Sequence, residues 1–291
     1  MKLKNLSLAM VLAFSFSGAV SAEEVVFSQS LVSQAKKGNA QAQYDLGEAY
    51  YQGYEVDEDE AEAFKWYQKA AAQGHLDAIY SIGYMYSEGQ HVDENAVEAV
   101  KWYSKAANRG HGLSQYALAI IYENGAEGVD EDPKKSIALL TKAADGGLSD
   151  AQYHLAYNYD EGISVNQDIA KAIRYYKLAA AQDDAGALNN LGLFYKDGNG
   201  VKQDYPEAIR LFKASIALDN AHANYNMGEL YENGLGVAKN YKIAAEYYEA
   251  AVDLGYEEVA EDLARLYETG GYGLKKDIRK SKQYKESMSD Y

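Results

Sequence analysis

One spacing governs this chain. The aliphatic residues Leu46, Ile82, Leu118, Leu155, Leu191, Met227 and Leu263 follow one another at steps of 36 residues, with a single step of 37. Four residues after each stands a tyrosine: Tyr50, Tyr86, Tyr122, Tyr159, Tyr195, Tyr231 and Tyr267. Three residues later comes a glycine: Gly53, Gly89, Gly125, Gly162, Gly198, Gly234 and Gly270. A period of this length marks stacked supersecondary units, each burying its apolar face only against its neighbours. It predicts an all-α solenoid of about seven helix-turn-helix repeats and argues against a globular enzyme.

Within one unit, Ala42, Leu46 and Tyr50 recur at helical spacing and define the buried stripe of a first helix. The tyrosine series of that stripe is assigned to the core. A small residue follows each key aliphatic: Gly47, Gly83, Ala119, Ala156, Gly192, Gly228 and Ala264. Glycine inside a helix costs about 1 kcal/mol, so its recurrence implies close approach of a neighbouring helix. The glycine at Gly53 and its equivalents ends the first helix in the left-handed conformation. Asp59, Asn95, Asp132, Asp168, Asp204, Asn240 and Asp277 then hold one register position, where a short acceptor side chain caps a second helix. That helix carries Ala63, Trp66, Tyr67 and Ala70 in the first unit. Asp183 and Asp219 replace the glycine that closes it elsewhere, a substitution the left-handed region tolerates.

Residues 1–22 read as a secretory signal. Lys2 and Lys4 precede an apolar stretch from Leu6 to Val20, and Val20-Ser21-Ala22 offers a cleavage site. The stretch is shorter than the roughly 20 residues that span a bilayer. Residues 23–38 are expected to form an N-terminal capping helix, 39–276 the solenoid, and 277–291 a polar C-terminal capping helix. The expected location is the periplasm or the exterior, after cleavage near Ala22. With no cysteine in the chain, a lipid anchor at that site, disulfides and thiolate metal sites are excluded. The net charge of −16 disfavours nucleic acid and anionic membranes. It suits a basic protein partner, and it equally suits mere solubility.

The runs Ala78-Ile79-Tyr80-Ser81-Ile82-Gly83-Tyr84-Met85-Tyr86 and Ala99-Val100-Lys101-Trp102-Tyr103-Ser104-Lys105-Ala106-Ala107 resemble the Sel-like repeat, a relative of the tetratricopeptide repeat. The resemblance covers nearly all of residues 39–287. It implies antiparallel helix pairs wound into a right-handed α-solenoid with a concave groove lined by first helices. It also implies a non-enzymatic scaffold or adaptor. Exported bacterial members take part in envelope and flagellar motor assembly, regulation of envelope sensors, toxin immunity and host-cell interaction. Some cysteine-rich members are described as penicillin-binding or β-lactamase-like.

On the first helices, residues two before, two after and five after the key aliphatic fall on one stripe away from the core. The candidate partner-binding residues there are Tyr44, Tyr80, Tyr84, Tyr116, Tyr153, Tyr157 and Tyr225, with Glu48, Glu123 and Asp160. Tyrosine supplies large rigid area and a polar tip, the pattern of binding hot spots. The alternative for the tyrosines is packing between units. The expected ligand is a protein or peptide with basic residues, bound by a monomer without cofactor or metal. Ser33 and Lys36 fit S-x-x-K, but the companion S-D-N and K-T-G motifs are absent. His75 and His111 hold equivalent positions at a turn, so repetition accounts for them.

Overall fold

The computed structural model describes residues 27–287, so the segment read as a signal lies outside the described residues. These form fifteen α-helices and no strand. After α1 (Gln29–Lys36), first and second helices alternate. The first helices are α2 (Ala40–Gln52), α4 (Leu76–Glu88), α6 (Gly112–Asn124), α8 (Ser149–Glu161), α10 (Ala185–Asp197), α12 (Ala221–Asn233) and α14 (Ala260–Thr269). The second helices are α3 (Glu60–Ala72), α5 (Ala96–Ala107), α7 (Pro133–Asp145), α9 (Ile169–Ala180), α11 (Tyr205–Ile216), α13 (Tyr241–Asp253) and α15 (Ile278–Ser287). The chain divides into two compact units, residues 1–155 and 156–291, with the boundary inside α8. No helix among the described residues is long and apolar enough to cross a membrane.

Every second helix starts as its capping residue dictates. Asp59 accepts from the Glu62 amide at 2.9 Å, and Asn95, Asp132, Asp168, Asp204, Asn240 and Asp277 repeat the bond at 3.0–3.1 Å. The first helices also have caps, which their sequence did not announce. Asn39, Asp184 and Asn220 accept amides at 2.7–2.9 Å. In the equivalent places the His75 and His111 Nδ1 atoms accept from the Ala78 and Ser114 amides at 3.3 Å. Histidine is rarely recognised as a cap because only its unprotonated nitrogen can accept.

The recurring small residue has a specific cause. A Cβ on Gly47 would lie 2.6 Å from the Tyr67 ring, on Gly83 2.7 Å from Tyr103, on Gly192 2.6 Å from Phe212, and on Gly228 2.4 Å from Tyr248. The close neighbour is thus the second helix of the same repeat, whose aromatic ring lies flat against bare backbone. Tyr67, Tyr103, Tyr176, Phe212 and Tyr248 are almost wholly buried there. Gly125 and Gly270, in the two loops one residue longer than the rest, adopt a different conformation, with isolated bridges Ala126–Val129 and Gly271–Leu274.

The tyrosine four residues after the key aliphatic departs from its core assignment. Only Tyr122 and Tyr267 are buried; the others are half-buried at the rim. Tyr159 and Tyr231 stack on an aromatic of their own second helix, Tyr175 at 6.2 Å and Tyr247 at 5.8 Å, whereas Tyr86 meets Phe64 of the preceding repeat edge-on at 6.0 Å. The phenol is long enough to bring its hydroxyl to water, and Lys135 and Lys171 sit over Tyr122 and Tyr159.

One core position breaks the pattern. Ala49, Met85, Ile121, Phe194, Leu230 and Leu266 share a register position that Asn158 fills in α8. Asn158 is 1% exposed, and neither amide atom has a partner among the described residues. An unsatisfied buried amide costs about 1–3 kcal/mol. Asn158→Leu is therefore expected to stabilise by about that amount, read as a higher urea midpoint. An unchanged or lower midpoint would contradict this account.

Candidate partner-binding face

The stripe anticipated on the first helices is present, but its residues do two different jobs. Tyr80 and Tyr116 are 6% and 5% exposed. Tyr80 packs on Tyr103 and on His111, both at 5.5 Å between ring centres, and Tyr116 meets His154 edge-on at 5.9 Å. Tyr44 stacks on His75 at 4.7 Å, and Tyr225 lies against Tyr248 and Tyr256, both at 5.6 Å. Of the two roles open to this series, burial assigns packing to Tyr80 and Tyr116. The side chains against them come from three places, Tyr103 on α5, the His111 turn and His154 on α8, which the sequence alone does not bring alongside. Glu48 is also buried, at 8% exposed, and accepts the Tyr67 hydroxyl at 2.6 Å. Burial pushes its carboxyl up, against the hydrogen bonds from Tyr67 and Tyr44.

Tyr84, Tyr153, Tyr157, Glu123 and Asp160 remain half-exposed. Glu123 pairs with His154 Nε2 at 3.0 Å. Asp160 is held by Tyr176, and burial pushes its carboxyl up. Tyr84 is joined by Tyr51, which stands five after Leu46 on the same stripe, and by Glu88, which lies off it. Tyr51 bonds to Tyr84 and donates to Gln90 Oε1 at 2.7 Å.

The two units differ in how this face is charged. In the N-terminal unit, α2, α4 and α6 carry Asp45, Glu48, Asp77, Glu88 and Glu123, and no lysine or arginine. Imidazoles meet two of these carboxylates: His111 Nε2 lies 3.1 Å from Asp77 and His154 Nε2 3.0 Å from Glu123. In the C-terminal unit two carboxylates of the same register, Glu229 and Glu232, are neutralised from within. Lys196 on α10 reaches Glu229 on α12 at 3.2 Å, and Arg265 on α14 grips Glu232 with two nitrogens. Burial alone would raise the Glu232 carboxyl, yet bonds from Arg265 and Tyr248 hold it below the usual range. In the N-terminal unit burial raises Asp45, Glu48 and Glu88, whereas the hydrogen bond with His111 lowers Asp77. No group of three or more His, Asp or Glu among the described residues is arranged to hold a metal ion.

Glu88 is consequently expected to destabilise its own unit at neutral pH. Burial and Glu94 raise its carboxyl. Such a group binds more protons folded than unfolded, so its cost is absent below the ordinary value of 4.5 and grows as pH rises through the folded value. Glu88→Gln should raise the urea midpoint at pH 7 and lose that advantage near about pH 4. An equal advantage at both pH values would remove the electrostatic explanation.

A family model for the Sel1 repeat matches residues 40–75, 76–111, 112–148, 149–184, 185–220, 221–256 and 258–286. Among solved structures, a Sel1 repeat protein from Oxalobacter formigenes is 28% identical, with a TM-score of 0.73 over 86% of this chain and 96% of that one. A protective antigen present in uropathogenic Escherichia coli strains, which displays an SLR fold, is 29% identical, with a TM-score of 0.61 over 90% of this chain. The chain spans 64% of that antigen's length. No curated protein matches the chain.

Proposed function

The chain belongs to the Sel1-repeat family, and from that premise we propose that it is an exported, non-enzymatic adaptor holding a segment of a partner protein on its N-terminal first helices. Sel1 repeats are a protein-interaction fold, and interaction on such repeats needs a preformed face, not a catalytic centre. The observation that carries the reading is the contrast between the units. Carboxylates on α2, α4 and α6 and half-exposed tyrosines on α2 and α4 face no lysine or arginine of their own helices, whereas Lys196 and Arg265 quench Glu229 and Glu232 in the C-terminal unit. Unquenched carboxylates beside rigid aromatics select basic, amphipathic segments and speed their encounter.

The test is affinity capture from cell-envelope extract with wild type and with a variant carrying Asp45→Ala and Tyr84→Ala. Both side chains are half-exposed, so the helices are expected to persist. The adaptor reading predicts a partner held by wild type and released by the variant. A partner held equally by both would move the site off this face. The likeness to a protective antigen favours a second reading, in which the chain is secreted and meets host ligands. Its appearance in culture supernatant instead of the periplasmic fraction would decide for that reading.

A further inference from the structure

The second helices lay cations of their own over the rim aromatics, from two register positions. Three residues after the capping residue, Lys135, Lys171 and Lys280 lie over Tyr122, Tyr159 and Tyr267, at 3.8, 4.7 and 4.6 Å from the ring centres. Ten residues after it, Lys69 and Lys105 lie over Trp66 and Trp102 at 3.5 and 3.4 Å. The repeat of residues 149–184 stacks Tyr159 on Tyr175, and Arg174 adds a second cation 5.2 Å from the Tyr175 ring.

The repeat of residues 221–256 keeps the same tyrosine pair, Tyr231 on Tyr247 at 5.8 Å, and changes every residue that would cover it. Ile243 stands in the register of Lys171, Glu246 in that of Arg174 and Ala250 in that of Lys69. A cavity of about 420 Å³ opens there between α12 and α13, lined by Asn224, Tyr231, Ile243, Glu246, Tyr247 and Ala250. That volume is in the range of small-ligand sites. Asn224 is 4% exposed, and its Nδ2 donates to the Asn220 carbonyl at 3.2 Å, which leaves its side-chain oxygen to accept from a ligand. Glu246 puts a carboxylate at the rim. Lys242 lies 3.9 Å from it, with both side chains more than half exposed. Such a surface pair is worth less than about 1 kcal/mol and gives way to a ligand. Aromatic faces hold a cation within about 6 Å, and more firmly where water is excluded.

We propose that this cavity binds a primary ammonium group carried on an alkyl chain. The ammonium takes the place over Tyr247 that Lys69 and Lys105 take over their tryptophans. Glu246 attracts it, the Asn224 oxygen accepts one of its N–H groups, and the alkyl chain lies on Ile243 and Ala250. The site is independent of the partner face: none of its residues lies on α2, α4 or α6.

The experiment titrates n-butylammonium against the full mature chain at low ionic strength, followed by ligand-observed NMR. Saturable binding is expected, with n-butanol, similar in size and uncharged, about tenfold weaker. Ala250→Lys gives the ring an ammonium from its own helix, as Lys69 and Lys105 do, and is expected to weaken n-butylammonium binding at least about tenfold. Its melting temperature should not change, because position 250 is half-buried and lysine is a good helix former, which separates an occupied site from a damaged fold. Glu246→Gln is expected to weaken binding about threefold. Glu127→Gln, an equal loss of charge at an exposed position of the N-terminal unit, should leave it unchanged. No saturable binding, n-butanol bound as tightly as n-butylammonium, or binding indifferent to Ala250→Lys would each overturn the site. N-acetyl-lysine methylamide tells the source of the ammonium. Binding as tight as that of n-butylammonium identifies a lysine of a polypeptide, and exclusion identifies a free alkylamine; both uphold the site.

Discussion

Replacing Phe212 by alanine is expected to destabilise the C-terminal unit by about 3–5 kcal/mol, the cost of emptying a large buried aromatic site. Phe212 is 0% exposed and its ring lies where a Cβ on Gly192 would be, at 2.6 Å. The reverse change tests the same contact from the other side. Gly192→Val forces three extra carbons against that ring, and overpacking of this kind costs about 1–3 kcal/mol. Gly192→Ala should cost less than the valine, because helix propensity returns about 1 kcal/mol against the clash of its single Cβ with that ring; three other repeats carry alanine in that register, Ala119, Ala156 and Ala264. Urea unfolding followed by circular dichroism gives all three values. Combining Gly192→Val with Phe212→Ala should cost less than the sum by at least about 1 kcal/mol. Strict additivity would mean that the ring and the glycine do not share one site.

Tyr80→Ala is expected to destabilise the N-terminal unit by about 3 kcal/mol or more, in the range for a large buried aromatic. Its ring is enclosed by Tyr103 and His111, and alanine would leave a cavity between two repeats. Tyr84→Ala, four residues on and half-exposed, should cost about 1 kcal/mol or less. The pair therefore separates two meanings of a lost partner. A partner released by Tyr80→Ala alone reports a damaged unit. Release by Tyr84→Ala with an unchanged melting temperature reports a binding surface. Similar losses of stability for both would show that Tyr84 is packed as tightly as Tyr80, and the partner face would have to be drawn elsewhere.

Much of this architecture is legible in the residues because it is set by local rules repeated in register. The seven capping Asp or Asn residues fixed the start of every second helix, since a short acceptor satisfies the amide three residues on whatever surrounds it. Asp183 and Asp219 adopted the left-handed conformation that their place in the glycine register requires, with φ of 59° and 57°. The histidine caps were illegible, because an imidazole signals a cap only once its nitrogen is seen to face the helix. The tyrosine stripe was legible as a stripe and ambiguous in role. Tyr80 and Tyr84 differ by one helical turn, and one is sealed by a neighbouring repeat while the other is not.

By itself, then, the sequence determined the period, the helix pairs and their caps, because those depend on contacts within some twenty residues. The tertiary structure alone decided which tyrosines are sealed and which carboxylates find Lys196 or Arg265. Those outcomes depend on side chains about 33 residues apart in the chain meeting across adjacent first helices, as Lys196 meets Glu229 and Arg265 meets Glu232.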